Sequence, residues 1–415
     1  MRTLVIAGEY PWPVDSGPRT RLTTTLRGLR RCGPVELVSV VSRFRSDFDP
    51  PDASMGLDKV ARVGFDNRPP SGRGLVSTLA RPAMPLALPW QDRATVQRAL
   101  ARFASGHYDL VWYFGARPWV LSGEAVTAPT ILDLDDLEDQ KIVARLAAPR
   151  PPAAGWPDWA RRSGSALVAG EEIRRWRRLE RRAGYRVSSV VVCSELDARR
   201  ARASGVVGVD VVPNGYRTPE RPVGRTEVGR PATVLFQGLL RYPPNIAAAR
   251  LLAGTLGPAL AQRVPGVEIR LVGDHPPELS ALHDPPAVTV VGRVPDITTE
   301  LARADLVVVP LRYGSGTRVK ILEAFAHRIP VVSTTLGAEG LGVEDGEHLL
   351  IGDSDEELVA ACTRLLTDTG LRRELADRAQ ALYAERFAGP VVEAAIEALA
   401  RRVAGSGRVD RPPSQ

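Results

Sequence analysis

A chain of 415 residues with 44% hydrophobic and 25% charged side chains is too long for one ordinary core and has the composition of folded globular domains, so two domains of about 200 residues are expected. The net charge of +7 is carried almost wholly by arginine, with lysine only at Lys59, Lys141 and Lys320, and no recognition module or aromatic-interleaved basic stripe points to nucleic acid. Cys32, Cys193 and Cys362 lack metal spacing, which argues against a zinc site or a disulfide framework. The start, MRTLVIAGEYPW, has too short an apolar run for a leader, and no stretch reaches about 18 apolar residues, so a cytoplasmic protein is expected.

Along the first half, apolar β-branched runs predict strands over 4–7, 35–41, 110–114, 130–134, 190–193 and 209–212, with a helix over 19–30 after the first. Such alternation implies a parallel sheet with helices on both faces. The loop Glu9 to Arg21, EYPWPVDSGPRTR, places Gly17 where backbone can approach a ligand, and Arg19 or Arg21 suits a phosphate or a sugar acid; a plain Pro/Gly turn is the alternative. Asp133, Asp135 and Asp136, in ILDLDDLED, stand at a strand end and admit two roles. A D-x-D pair can hold Mg²⁺ and diphosphate, or a carboxylate can orient or deprotonate an acceptor hydroxyl. The run RRWRRLERRAGYR, 174–186, reads as solvated helix surface, with contact to anionic lipid or a phosphorylated acceptor, helped by Trp176, as the sharper alternative. The Pro-rich loop 149–159 reads as a flap over the acceptor or a linker, and 218–231 as an interdomain linker.

The second half repeats the pattern, with strands expected over 233–236, 267–272, 288–291, 306–309, 331–333 and 349–351 and helices over 246–260 and 297–304. A last amphipathic helix is expected over 391–403, then a polar tail. The most informative stretch is 306–341, LVVVPLRYGSGTRVKILEAFAHRIPVVSTTLGAEGL. A buried strand runs into a turn holding Gly314, Ser315 and Gly316, then a helix over 317–328, which Pro330 ends before another buried strand. Free amides at such a helix start favour an anion, and Arg318 and Lys320 add cations where cations are unfavourable unless an anion arrives. That placement predicts a phosphate.

This stretch resembles the donor-binding segment of family 4 glycosyltransferases, in the branch reading roughly G-G-G-T-R-x-K-x-L-E-A. Gly314, Gly316, Thr317, Arg318, Lys320, Leu322, Glu323 and Ala324 match it, as do 330–334 and 337–341. The resemblance extends to EYPWPVDSGPRTR, to VVPNGYR (211–217) and to FQGLLRYPPNIAAA (236–249). It implies an α/β GT-B fold: two facing, doubly wound Rossmann-like domains. The implied division is 1–217 for the acceptor, 218–231 as linker, 232–388 for the donor, 389–404 as a helix returning to the first domain, and 405–415 as tail.

The resemblance further implies transfer of a sugar from a nucleotide-diphosphate sugar, with UDP or GDP favoured, to a small-molecule or lipid-linked acceptor. Retention of configuration and independence of metal or other cofactor come with it, as does work in the cytoplasm or peripherally at the inner membrane face. Arg318, Lys320 and Asp135 are the implied catalytic residues. Gly17, Gly238, Arg241, Gly273, Arg293, Val294, Gly314, Ser315, Gly316, Thr317 and Glu323 would bind the donor, Glu323 through the ribose hydroxyls and the 293–294 backbone through the base. Asp15, Arg19, Asp133 and Asp136 would meet the acceptor. Three departures stand out: Ser315 where many relatives carry a second glutamate, Asn245 where lysine is common, and Tyr113–Phe114 where histidine is frequent. The missing glutamate and histidine keep a catalytically silent partner subunit in view, and the shared two-domain architecture a nucleotide-sugar 2-epimerase. The sequence carries no sign of oligomeric state.

Overall fold

A computed structural model describes residues 1–44, 48–65, 84–86, 88, 93–104, 106–123, 126–147, 156–220, 223, 231–316 and 318–406, with backbone alone at 156–164. Two compact units divide it, Met1–Pro213 with Val392–Gln415, and Asn214–Val391.

The first unit is built on a seven-stranded parallel sheet: β1 Thr3–Ala7, β2 Val35–Ser42, β3 Lys59–Phe65, β4 Leu110–Phe114, β5 Thr130–Asp135, β6 Ser189–Val192 and β7 Val209–Val211, in the order β3-β2-β1-β4-β5-β6-β7. β1 pairs with β2 from Thr3↔Val35 and with β4 from Thr3↔Leu110. Its side chains alternate between two cores, as a strand covered on both faces requires. Leu4 and Ile6 pack with Val38, Val40 and Val111; Val5 and Ala7 pack with Leu22, Leu26 and Ile396. Ile396 belongs to the last helix, Gly389–Gly405, which sits against helix Gly17–Arg30. A Cβ on Gly28 would come within 2.8 Å of both Ile396 and the Glu393 carbonyl, so glycine permits that contact.

Two sequence expectations are corrected here. β3 goes unpredicted because it is an edge strand whose residues are largely exposed, and pairing with β2 over seven positions decides its conformation. Trp176, on helix Trp156–Gly184, is no lipid anchor: it is 6% exposed and packs in the core with Val190 and Leu132. The expected flap falls on residues 149–155, outside the described residues, and on the start of that helix. No helix among the described residues is long and apolar enough to cross a membrane.

The second unit carries a six-stranded parallel sheet: β8 Thr233–Gln237, β9 Glu268–Val272, β10 Val288–Gly292, β11 Leu306–Val309, β12 Val331–Ser333 and β13 Leu350–Ile351, in the order β10-β9-β8-β11-β12-β13. β8 and β11 are buried at every position. The order reverses direction at β8 and β11, and in doubly wound sheets ligands bind at the carboxyl ends of the strands at that point. The helix expected over 246–260 is present as Pro243–Leu251, a π-helical turn Leu252–Leu256, and Gly257–Arg263.

Candidate donor site and its surroundings

At the carboxyl end of β8, Gln237 is followed by Gly238 at φ +138, whose amide donates to the Val272 carbonyl at 3.0 Å. Gly273, at φ +141 after β9, donates to the Gly292 carbonyl at 2.8 Å. A Cβ on Gly273 would stand 1.8 Å from the Gly238 carbonyl oxygen, so only glycine lets these loop starts nest. A Cβ on Gly238 would lie 3.1 Å from the Lys320 Nζ, which places that ammonium beside the β8 end. After β11 the chain turns through Gly314 and Gly316 into helix Val319–Ala326, with Arg318 as its N-cap. Thr317, expected to bind the donor, lies outside the described residues.

Arg318 is buried and donates to the Ser315 carbonyl. Lys320 is half-buried; its Nζ donates to Asn245 Oδ1 at 3.1 Å and sits 4.0 Å from the Phe236 ring centroid. Asn245, where relatives often carry lysine, is held by its own bond to the Leu239 carbonyl at 2.8 Å. Burial, and then the charge of Arg318, push the Lys320 ammonium down to about 7. An anion in that corner would reverse the shift.

One helical turn on, Glu323 accepts from the Tyr216 hydroxyl at 2.7 Å and from Gln237 Nε2 at 3.3 Å. Burial pushes its carboxyl up, while the bonds from Tyr216 and Gln237 pull it back. Around this cluster lie Arg217, 3.6 Å from Asp296, and the buried His327, edge-on to Tyr216 with ring centroids 6.4 Å apart. Arg241 is exposed and pairs with Asp274 at 2.6 Å; Arg293 is exposed, and Val294 packs against the core.

The structure therefore brings Gly238, Gly273, Gly314, Ser315, Arg318, Lys320 and Glu323 to one end of the sheet. Gln237 and Tyr216 belong with them and were missed. A polar residue ending the apolar run TVLFQ was a usable signal for Gln237; nothing local couples position 216 to 323.

In the first unit Asp15 is exposed, but the other expected acceptor residues, Arg19, Asp133 and Asp136, are less open than their sequence context implied. Gly17 begins helix Gly17–Arg30 behind its N-cap Ser16. Arg19 is 1% exposed and donates to the Pro13 carbonyl at 3.0 Å and to Asp15 Oδ1 at 2.9 Å, fastening the loop to the helix. Asp133 is corrected from acceptor contact to structural pairing. It is fully buried, with Arg21 Nη2 at 2.9 Å, and Arg21 also donates to the Val212 carbonyl at 2.9 Å. Burial opposes the Arg21 charge, but Asp133 and Asp135 hold it protonated. Asp136 is buried as well. Asp135, at φ +58 and 3.6 Å from Arg21, keeps about a fifth of its side chain exposed and is the most accessible of the three. Tyr113, in the position frequent for histidine, is buried. Among the described residues no group of three or more His, Cys, Asp or Glu converges as a metal site.

Comparison with known proteins adds independent observations. The profile of a family described as "Glycosyl transferases group 1" matches residues 231–368. A D-inositol 3-phosphate glycosyltransferase of Salinispora arenicola is 30% identical over 314 residues, covering 69% of this chain and 67% of that protein. An exopolysaccharide phosphotransferase of Streptomyces coelicolor is 32% identical over 142 residues, but the match spans 31% of this chain and only 14% of that much longer protein. Among solved structures, Anabaena HepE in complex with UDP and glucose superposes with a TM-score of 0.61 at 19% identity, covering 95% of this chain and 98% of that one. At that identity the likeness establishes the fold, GT-B with two parallel-sheet α/β domains.

Proposed function

The chain belongs to the group 1 glycosyltransferases, and from that premise we propose that it transfers a glycosyl group from a nucleotide-diphosphate sugar to an acceptor hydroxyl. The second unit takes the donor. Its diphosphate lies over the Gly238 and Gly314–Gly316 backbone against Arg318 and Lys320, its ribose hydroxyls meet Glu323, and its base meets the backbone at Arg293 and Val294. The observation that carries this reading is Lys320. Its ammonium sits in a buried corner beside Gly238, where its hydrogen-bond acceptor among the described residues is the neutral Asn245 amide. A cation held at such cost is explained by an anion that arrives with substrate.

As the glycosidic bond to the diphosphate breaks, negative charge accumulates on the departing phosphate oxygens. The Gly314–Gly316 amides, Arg318 and Lys320 are proposed to meet that charge, and donors held near it before the reaction lower the reorganisation the step requires. Metal independence and retention of configuration are parts of the proposal. On the acceptor side Asp135, the most accessible carboxylate of its cluster, is proposed to orient the incoming hydroxyl, with lipid-linked and small-molecule acceptors both compatible. The proposed place of work is the cytoplasm.

A thermal-shift screen of UDP-, GDP-, TDP- and ADP-sugars without metal tests the reading. One donor is expected to stabilise the protein by about 2.7 kcal/mol at a hundredfold excess over its Kd, and Glu323→Ala to remove the shift. With that donor, Arg318→Ala is expected to slow turnover by about 10²- to 10³-fold. No shift with any donor, or unchanged turnover in Arg318→Ala, would contradict it.

A further inference from the structure

We propose that Tyr216 and Gln237 are positioning residues that hold Glu323 in the orientation and the ionised form a ribose diol requires; the inference rests on the donor-site reading above. A carboxylate offers about four acceptor positions, two on each oxygen. The Tyr216 hydroxyl occupies one on Oε1 at 2.7 Å and Gln237 Nε2 one on Oε2 at 3.3 Å. One position stays on each oxygen, which matches the two donors of a vicinal diol.

Both partners are themselves fixed. Tyr216 is 8% exposed, and its backbone is pinned on both sides. Its amide donates to the Phe387 carbonyl at 3.0 Å, and its carbonyl accepts from the Gly389 amide at 2.9 Å and the Tyr383 hydroxyl at 3.0 Å. Gln237 closes buried strand β8, and its Nε2 also donates to the Lys320 carbonyl at 3.3 Å. The opposite amide orientation would set its oxygen against two acceptors, so the carboxylate sees a donor.

Ionisation follows the same contacts. Burial favours protonated Glu323; against it stand the bonds from Tyr216 and Gln237 and the charges of Arg217 and Lys320. His327, one turn further along the helix, is buried and its own pKa is lowered by burial, so it adds little charge. Losing the Tyr216 hydroxyl removes one donor and tips the balance toward the protonated acid, which cannot accept two diol hydrogens as well.

Calorimetric titration with UDP, GDP and ADP and with their 2′,3′-dideoxy counterparts separates this inference from its premise. Wild-type protein is expected to prefer the diol form of its nucleotide by about tenfold or more, as two bonds to a charged acceptor imply, and Glu323→Ala to lose that preference. Tyr216→Phe, which removes only an oxygen, is expected to cut the preference at least about threefold. It should also move the acid limb of diol binding to higher pH while leaving dideoxy affinity unchanged. Gln237→Leu should act in the same direction and serves as the second variant. Equal wild-type binding of diol and dideoxy forms, or no nucleotide binding, would overturn the donor-site reading and the inference with it. A wild-type preference that Glu323→Ala abolishes, but that Tyr216→Phe and Gln237→Leu keep in full with the same acid limb, would overturn the positioning role alone.

Discussion

Replacing Lys320 by methionine is expected to make the free protein more stable and the nucleotide-bound protein far weaker. Methionine keeps the unbranched stem against Phe236 and gives up the ammonium, whose ring contact, single bond to Asn245 and attraction to Glu323 do not offset its burial and the repulsion of Arg318. The sign follows from proton linkage. The folded pKa of Lys320 is lowered to about 7 from 10.5, so across that window the unfolded chain binds more protons and wild-type stability rises with pH. The variant should lack this slope and melt higher at pH 7, by about 2–4 °C for each kcal/mol relieved. Its nucleoside-diphosphate affinity should fall by about 2–5 kcal/mol, roughly 30- to 5,000-fold, because a desolvated charge pair loses one member. Melting curves at pH 7 and 9 with and without nucleotide read both effects. A variant that binds as tightly as wild type would remove Lys320 from the phosphate site. A stabilising substitution that destroys binding is the pattern of a group retained for function.

The second large effect concerns the first unit. Asp133→Leu is expected to destabilise the protein by up to about 3–5 kcal/mol, because Arg21 would lose its hydrogen-bonded carboxylate in a dry interior and keep Asp135, at 3.6 Å, as a poorer partner. Arg21 joins helix Gly17–Arg30, the end of β5 and the residue after β7, so the loss reaches one helix and two strand ends of the unit. Adding Arg21→Met should recover much of that stability, since an apolar replacement of both partners removes the stranded charge. Urea unfolding of the single and double variants measures it. If Asp133 were an acceptor ligand instead, Asp133→Leu would keep its unfolding midpoint and lose only turnover.

How much of this was legible in the sequence depends on the range of the interactions. β1, β8 and β11 are covered on both faces, so their apolar runs stand out without any neighbour being known. β3 is half-exposed at an edge and alternates weakly, and its strand character comes from β2. The glycine-rich turn with Arg318, Lys320 and Glu323 was readable because it lies within one strand–turn–helix unit, the local arrangement on which a proposed anion site is built. What surrounds it was not. Tyr216 reaches Glu323 across 107 positions and Asn245 reaches Lys320 across 75, distances at which no periodicity connects two residues. In the first unit the aspartates were read at a strand end and Arg19 and Arg21 separately in a ligand-facing loop, and the pairing between the two groups was invisible. Once Arg21 and Asp133 meet in the interior, each ceases to be available to a ligand. Trp176 was misread for a related reason, since the arginines beside it disguise the buried face of a long helix.

The most direct test of the donor site is the proton that accompanies binding. Titrating the tightest of UDP, GDP, TDP and ADP at pH 8, in two buffers of different ionisation enthalpy, reports proton exchange on complex formation. Wild-type protein is expected to take up about one proton, as the phosphate restores the charge of Lys320, and Lys320→Met none. Binding that takes up no proton in wild type, or the same number in both proteins, would contradict the donor-site reading.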